Sequence, residues 1–279
     1  MSKEDTKQIY NRFSEEYHLT YLKNIQSFQA EISIFTDEDW YYVDNYPSFG
    51  FKPDEGCDFI VYGQAPLGWG SGFSLKESVK PELVNESAQF SNKYLHDYGH
   101  TPLDWVNVLW TNGTIESFTG NDEVLKSFYV GDNPNSYRAY RSFFWNVIFK
   151  LISDYYDFDR GSMEWSKKLL WSNLCKIAPE DANPNEQEKK AQLTYGTELI
   201  RLEIEELKPK YCVVLTNDSW WEPFRVALKT QQLTIPDNFP EIQSFEEYNG
   251  TKIIVTSRPR FGNSDEFVRQ ILGVINHNQ

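Results

Sequence analysis

The sequence predicts an α/β fold, a three-layer sandwich with a central, mostly parallel four-stranded sheet and helices on both faces. Two observations support this prediction. Short apolar runs that end abruptly at a loop are typical of buried parallel strands. Helical patterns separate these runs along the chain, which is the element order of a parallel sheet covered on both faces. A chain of 279 residues is long enough to bury such a core.

Four principal strands are expected. They cover residues 58–62, 168–173, 210–216 and 252–257. The first reads DFIVY and stops at Gly63, so it combines β-branched and aromatic residues with a sharp end. The carboxyl ends of these strands are where ligands bind in such sheets, so the loops that follow them are the places to search for a site.

The most regular helical pattern covers residues 186–207. Ile200, Ile204 and Leu207 fall on one face of that helix, and Pro209 ends it. Further helices are expected over 136–156, in NDSWWEPFRVAL and in NSDEFVRQILGVI. Together with the strands, these helices complete the alternating order of the predicted sandwich.

Domain organisation is predicted as one α/β domain with two additions. Residues 1–50 mix a helical pattern with an aromatic stretch and are expected to form an N-terminal extension wrapped on the main body. Residues 51–279 form the domain, which carries an insertion at about 74–160. Neither an internal repeat nor a low-complexity segment is found in the sequence.

The composition limits the possible partners. A formal net charge of −14 argues against wholesale binding of nucleic acid, so a polynucleotide would have to meet a local basic patch. The three cysteines lack metal or redox spacing, and the first residues lack an apolar signal region, so we expect a reduced, cytoplasmic protein. No apolar stretch approaches the ~20 residues that cross a bilayer, and no membrane partner is expected.

The loop after the first strand, GQAPLGWGSGF, has two interpretations. Gly68, Gly70 and Gly72 could expose backbone N–H groups to a phosphate. The loop lacks the Lys-Ser/Thr pair of a P-loop and the dinucleotide-binding spacing, so a flexible strand-to-helix turn is the alternative.

Two other loops carry side chains suited to binding. Asn173 ends the second strand, and its amide can donate and accept hydrogen bonds at the edge of a base, although an asparagine here is also an ordinary turn residue. Arg258 and Arg260 flank Pro259 after the last strand. They could bind phosphate or stabilise a developing anion, or they could simply be solvated or paired with acids.

A metal site is not expected. His96 and His100 have the spacing of two ligands on a helix, but Gly99 argues against a helix there and no HExxH pattern is present. Trp220 and Trp221 could stack on a ligand after the third strand, although a tryptophan that begins a helix more often covers core.

Taken in order, these strand-end loops resemble the uracil-DNA glycosylase superfamily. The matching stretches are GQAP, N-x-x-K-x-x-P followed by NPNEQE, KPKYCVVL, and TSRP. The pattern is most similar to the thermophile-type branch, whose loops typically read GEAPG, N-x-x-K-C-R-P-P, P-K-x-I-V-x-L-G and T-x-H-P-S. The resemblance extends from about residue 58 to the C-terminus, with a long insertion between the first two motifs.

The resemblance implies catalytic roles for three positions. Gln64 and Ala65, with Pro66, would form the loop that holds or activates water at the sugar carbon. Arg258 occupies the place of the family's catalytic histidine. To reach such a loop, the target base must flip out of the stack of bases in the DNA.

The resemblance also implies residues that bind the base and the DNA. Gly63, Pro66 and Asn173 would contact the flipped base, and Trp69 or Phe73 would stack on it. Lys176 and Arg260 would contact DNA phosphates, with the turn of Pro259, Arg260 and Phe261 near the backbone.

Two departures from the family bear on function. Gln64 and Ala65 stand where a carboxylate would activate water, so the obvious general base is absent and hydrolysis would be slow. The three cysteines cannot hold the iron–sulfur cluster of the thermophile-type branch, so no cofactor is expected. The predicted function is that of a uracil-DNA glycosylase-like protein that binds a flipped-out nucleobase in DNA and, if it is active, hydrolyses the N-glycosidic bond of that base. The alternative is an inactive or repurposed member of the fold that binds a nucleobase, a nucleotide or a protein.

Overall fold

The computed structural model describes residues 12–51, 56–66, 68, 70–92, 103, 106, 142–160, 162, 164–235, 239–260 and 262–277. Within these residues the chain forms a mixed α/β structure with two sheets. The predicted α/β class is therefore confirmed.

The larger sheet has seven strands in the order β2-β5-β3-β7-β10-β9-β8. Its four central strands are parallel: β5 (Leu169–Asn173), β3 (Phe59–Gly63), β7 (Tyr211–Val214) and β10 (Thr251–Thr256). These are the four strands that the sequence predicts.

Three antiparallel strands extend this sheet and were not predicted. They are β2 (Ser48–Phe49) at one edge, and β9 (Ile242–Tyr248) and β8 (Gln231–Gln232) at the other. Two of these strands have only two residues, which is too short for a periodic signal. Strand β9 lacks a clear alternation of apolar and polar residues because its buried face contains the charged residue Glu246.

A second sheet places the N-terminal segment next to the strand-end loops. Strand β1 (Tyr41–Asp44) pairs antiparallel with β4 (Ser71–Ser74) on one side and with β6 (Ile177–Pro179) on the other. Strand β4 follows the loop after β3, and β6 follows the loop after β5. The small sheet therefore ties these two loops to one strand.

Six helices are described in the structure. They are α1 (Glu15–Ile32), α2 (Glu82–Asn92), α3 (Phe143–Tyr156), α4 (Glu186–Leu207), α5 (Asp218–Leu228) and α6 (Ser264–His277), with a 3₁₀ turn at Glu164–Lys167. Helix α4 has the predicted bounds. None of the described helices is both long and apolar enough to cross a membrane.

The side chains of the central strands alternate between two cores. Ile60 and Tyr62 of β3 pack in a core with residues of α1, α4 and α5, whereas Phe59 and Val61 pack in a second core with residues of α3 and α6. This period of two is what a strand buried on both faces produces. The sheet thus lies between two helical layers.

The structure describes parts of the two segments that were predicted as additions to the domain. Helix α1 packs against α4, where the Tyr17 hydroxyl donates a hydrogen bond of 2.8 Å to Glu203 Oε1, and β1 and β2 belong to the sheets. The N-terminal segment is therefore built into both sheets as well as lying on the main body. Of the predicted insertion, 93–141 lies outside the described residues except for Leu103 and Val106.

Two buried titratable groups lie in the layer that includes α1. Asp44 accepts hydrogen bonds from Tyr21 (3.0 Å), Ser71 (2.8 Å) and Ser87, yet burial outweighs these bonds and raises its pKa to about 6. Burial lowers the pKa of His18 to about 4.

These shifts act on stability in opposite directions. The pKa of Asp44 lies above its ordinary value of 3.8, so its stabilising contribution is complete below that pH and is lost as the pH rises through about 6. The pKa of His18 lies below its ordinary 6.5, so its contribution is complete above that pH and is lost as the pH falls through about 4. Each amounts to about 3 kcal/mol at about 1.4 kcal/mol per pKa unit.

We expect single substitutions to unmask each contribution. Between pH 7 and pH 4, Asp44→Asn should lose about 3 kcal/mol more free energy of unfolding than the wild type, and His18→Gln should lose about that much less. Urea unfolding at each pH measures this, with the exposed Asp37→Asn as the control. Parallel pH profiles for all four proteins would contradict the prediction.

Candidate functional site

A cavity of about 350 Å³ lies at the carboxyl ends of the parallel strands. Three of the predicted loops line it: Gly63, Gln64, Ala65 and Pro66 after β3, Asn173 at the end of β5, and Arg258, Pro259 and Arg260 after β10. The structure therefore brings together residues that lie almost two hundred positions apart, at the edge of the sheet where the topology predicts a site.

Gly63 and Asn173 lie side by side in the wall of the cavity. These residues are register partners at the ends of β3 and β5. A Cβ atom at Gly63 would lie 2.6 Å from Asn173 Oδ1, so glycine is required for the amide to lie against β3. Two backbone bonds of 2.9 Å, Leu174 N–H to Gly63 O and Cys175 N–H to Gln64 O, hold the two loops in this register.

The side chain of Asn173 is held in place by Asn45, the residue that directly follows β1. Its side chain is 1% exposed, and its Nδ2 donates a bond of 3.0 Å to Asn45 Oδ1. It makes no other side-chain hydrogen bond to a described residue. The second N–H of the amide and Oδ1 are therefore left for a ligand in the cavity.

Arg258 and Arg260 stand exposed at the rim of the cavity. Neither forms an ion pair or hydrogen bond with any residue that the structure describes, whereas Arg201, Arg225 and Arg269 each bind carboxylates. Burial, followed by repulsion from Arg260, lowers the pKa of Arg258. Arg258 and Arg260 are therefore not paired with carboxylates among the described residues.

The first turn of α3 supplies a wall of the cavity that was not predicted from the sequence. Ser142 caps the helix through a 3.4 Å bond from Trp145 N–H, and Phe143, Phe144 and Trp145 line the cavity beside Trp171 of β5. A Cβ atom at Gly63 would lie 3.6 Å from Phe144 Cζ, which places this ring next to the buried amide. The signal was present as three consecutive aromatics at a helix start, but it indicated only a buried helix.

Phe73 does not have its predicted role. It lies in β4 with 4% exposure and packs on Phe28 and Tyr42, with ring centroids 6.4 and 6.2 Å away. It faces the core because alternate residues of β4 point away from solvent, so it cannot stack on a base. Trp69 and Phe261 lie outside the described residues, as do His96 and His100.

The glycines of the first loop also have a packing explanation. A Cβ atom at Gly70 would lie 2.0 Å from the backbone oxygen of Asp44. Glycine is needed there so that the loop can approach β1. This close approach, rather than a phosphate cradle, accounts for a glycine at this position.

Lys176 also does not have its predicted role as a contact to DNA phosphate. It is fully buried, and its Nζ lies 2.7 Å from Glu203 Oε1, 2.6 Å from Ser172 Oγ and 2.8 Å from the backbone oxygen of Asn173. A side chain in this position cannot reach a DNA phosphate. Instead it supports the site, because its own backbone oxygen also accepts a 2.9 Å bond from Asn45 N–H.

The cavity has polar lining residues, but none of the described ones can act as a general base. Arginine is the only ionisable residue type among the described residues that line it. Cys175 follows two residues after Asn173, but burial raises the pKa of its thiol to about 12, so it is a poor nucleophile. The cavity can therefore bind an edge, a ring face and an anion, whereas proton abstraction has no candidate among these residues.

No protein-family model matches the sequence, and no curated protein matches it. The class of protein is defined by the fold and the cavity: an α/β protein with a polar and aromatic cavity at the carboxyl edge of a parallel sheet.

Proposed function

We propose that this cavity binds a nucleobase and that the protein is similar to uracil-DNA glycosylases. One observation carries the proposal: Gln64, Asn173 and Arg258, each from a different predicted motif, line one cavity. A cavity of about 350 Å³ is at the small end of the range for small-molecule sites.

The contacts in the cavity match the parts of a base. Asn173 presents a donor and an acceptor from a fixed position, which suits the hydrogen-bonding edge of a ring. Phe144 and Trp145 offer aromatic faces or edges for the ring itself. Arg258 adds positive charge where an anionic group would enter or leave.

Binding is favoured over rapid hydrolysis. Hydrolysis of an N-glycosidic bond is the second candidate function, and the position of Arg258 favours it because a fixed cation stabilises charge on a departing base. The described lining residues supply no carboxylate that would activate water. Slow cleavage of uracil-containing DNA is therefore the expected upper limit of the native activity.

The test uses the tryptophans of the cavity. Trp145 and Trp171 should report binding of uracil or uridine as a change in intrinsic fluorescence. Asn173→Ala should weaken binding at least about fivefold, since a well-placed pair of base contacts contributes about 1–3 kcal/mol. The exposed Gln187→Ala is the matched control, and thermal unfolding checks that Asn173→Ala is folded.

DNA is tested in parallel with single- and double-stranded oligonucleotides that contain uracil or an abasic site. Alkaline strand scission then detects removal of the base. If uracil, uridine and abasic DNA all fail to bind, and no scission occurs at high protein excess, the proposed function is wrong.

A further inference from the structure

Among the residues that the structure describes, Arg258 and Arg260 have no counter-ion. The net charge is −14, and the described carboxylates bind Arg160, Arg201 and Arg225 elsewhere on the surface. Arg258 and Arg260 have no such partner among the described residues, and they are the charged residues of the cavity lining. Both line the same cavity, and burial followed by repulsion from Arg260 lowers the pKa of Arg258. An anion bound between the two guanidinium groups would relieve this repulsion.

The backbone that carries this pair is well held. Strand β10 ends at Thr256, and the next residue, Ser257, donates its N–H to Glu241 O at 2.8 Å and its hydroxyl to the Glu241 carboxylate. Pro259 is buried between the two arginines and fixes its own φ angle. The backbone that carries both guanidinium groups is therefore fixed, so less conformational entropy is lost when the two side chains bind one anion.

The opposite wall of the cavity also suits an anion. Ser142 caps the start of α3, where the N–H groups of Phe143 and Phe144 lack intrahelical partners and the helix dipole is positive, while the Trp145 N–H is bound to Ser142. Together with the arginines, this turn places positive potential at the mouth of a cavity that is otherwise neutral.

The positive region is small. The start of α6 carries Asp265 and Glu266, and Asp265 forms ion pairs with Lys150 and Arg160, so these two cations are not free to bind a ligand. The chain as a whole carries a net charge of −14, so the protein would repel a long polyanion that leaves the cavity, whereas the arginine pair balances the charge of one phosphate.

We propose that the site takes a free nucleoside monophosphate, with the phosphate bound between Arg258 and Arg260 and the base against Asn173. This inference rests on the proposed function and narrows its ligand from any nucleobase to a single nucleotide. Two guanidinium groups match the charge of a terminal phosphate, which carries between one and two negative charges at neutral pH.

The experiment compares ligands that differ by one part. Tryptophan fluorescence is titrated with UMP, CMP, AMP and GMP, with the four nucleosides, with inorganic phosphate, and with a single-stranded oligonucleotide that contains uracil. At least one monophosphate should bind about tenfold or more tightly than its own nucleoside, since charge-assisted bonds contribute about 1.5–3 kcal/mol each.

Variants of the pair locate the phosphate. Arg258→Ala and Arg260→Ala should each weaken binding of that monophosphate about tenfold, and the double substitution should remove its advantage over the nucleoside. Arg269→Ala, an exposed arginine of α6 outside the cavity, is the matched control and should leave the affinity unchanged.

The outcomes separate the two proposals. Three results would overturn the single-nucleotide inference: equal affinity for nucleoside and monophosphate, equal affinity for inorganic phosphate and monophosphate, or tighter binding of the oligonucleotide. In each case, binding of the nucleosides would still support the proposed nucleobase site. Failure of nucleosides, monophosphates and oligonucleotides alike would overturn both.

Discussion

Lys176→Met is expected to destabilise the protein by about 3–5 kcal/mol, because it leaves the buried carboxylate of Glu203 without its counter-ion. Both side chains are fully buried, and their charged atoms lie 2.7 Å apart. Glu203 Oε1 also accepts bonds from Tyr17 (2.8 Å) and Ser172 (3.2 Å), whereas its Oε2 has no partner among the described residues. Urea unfolding at pH 7 measures the loss.

The double variant Lys176→Met with Glu203→Gln tests the reason for this loss. Glutamine keeps an oxygen for Tyr17 and removes the charge, so the pair of substitutions should recover at least half of the lost free energy of unfolding. Lys167→Met, which breaks an exposed ion pair with Glu164, is the matched control and should cost less than about 1 kcal/mol. A double variant no more stable than Lys176→Met would show that packing, not charge, dominates at this position.

Ala65→Asp is expected to raise the rate of uracil release from single-stranded DNA about 10²–10⁴-fold over the wild type. Ala65 is half-buried and lines the cavity, so a carboxylate there would face the space beside the base. General-base help of this kind typically contributes such a factor. Single-turnover reactions followed by alkaline scission measure the rate.

The control for this gain is Ala65→Asn, which has a similar size but cannot accept the proton. It should stay at the wild-type rate. Ala65→Asp that binds uridine normally but releases no uracil would leave the cavity as a binding site and remove hydrolysis from the proposed function.

The local sequence was enough for the main strands and for the loops of the site. Each central strand is a short apolar run buried on both faces, and such a run needs no distant information to be recognised. The order of these strands along the chain then places Gly63, Asn173 and Arg258 at one edge of the sheet. The cavity confirms that these three residues meet.

The environment of single side chains could not be predicted in the same way. A lysine three residues beyond a strand is ordinarily exposed, and Lys176 is buried only because α4 supplies Glu203 as its partner. Phe73 was predicted to stack on a base, but its pairing with Tyr42 across β1 and β4 turns its side chain into the core. One position of strand register exchanges the two faces.

The sequence by itself therefore determined the α/β class, the four parallel strands and the loops that carry Asn173 and the arginine pair. The tertiary structure alone decided that the first turn of α3 closes the cavity, that Asn45 fixes the amide of Asn173, and that Arg258 and Arg260 lack carboxylate partners among the described residues. The physical reason is that periodicity depends on neighbours in the chain, whereas burial, pairing and charge compensation depend on neighbours in space.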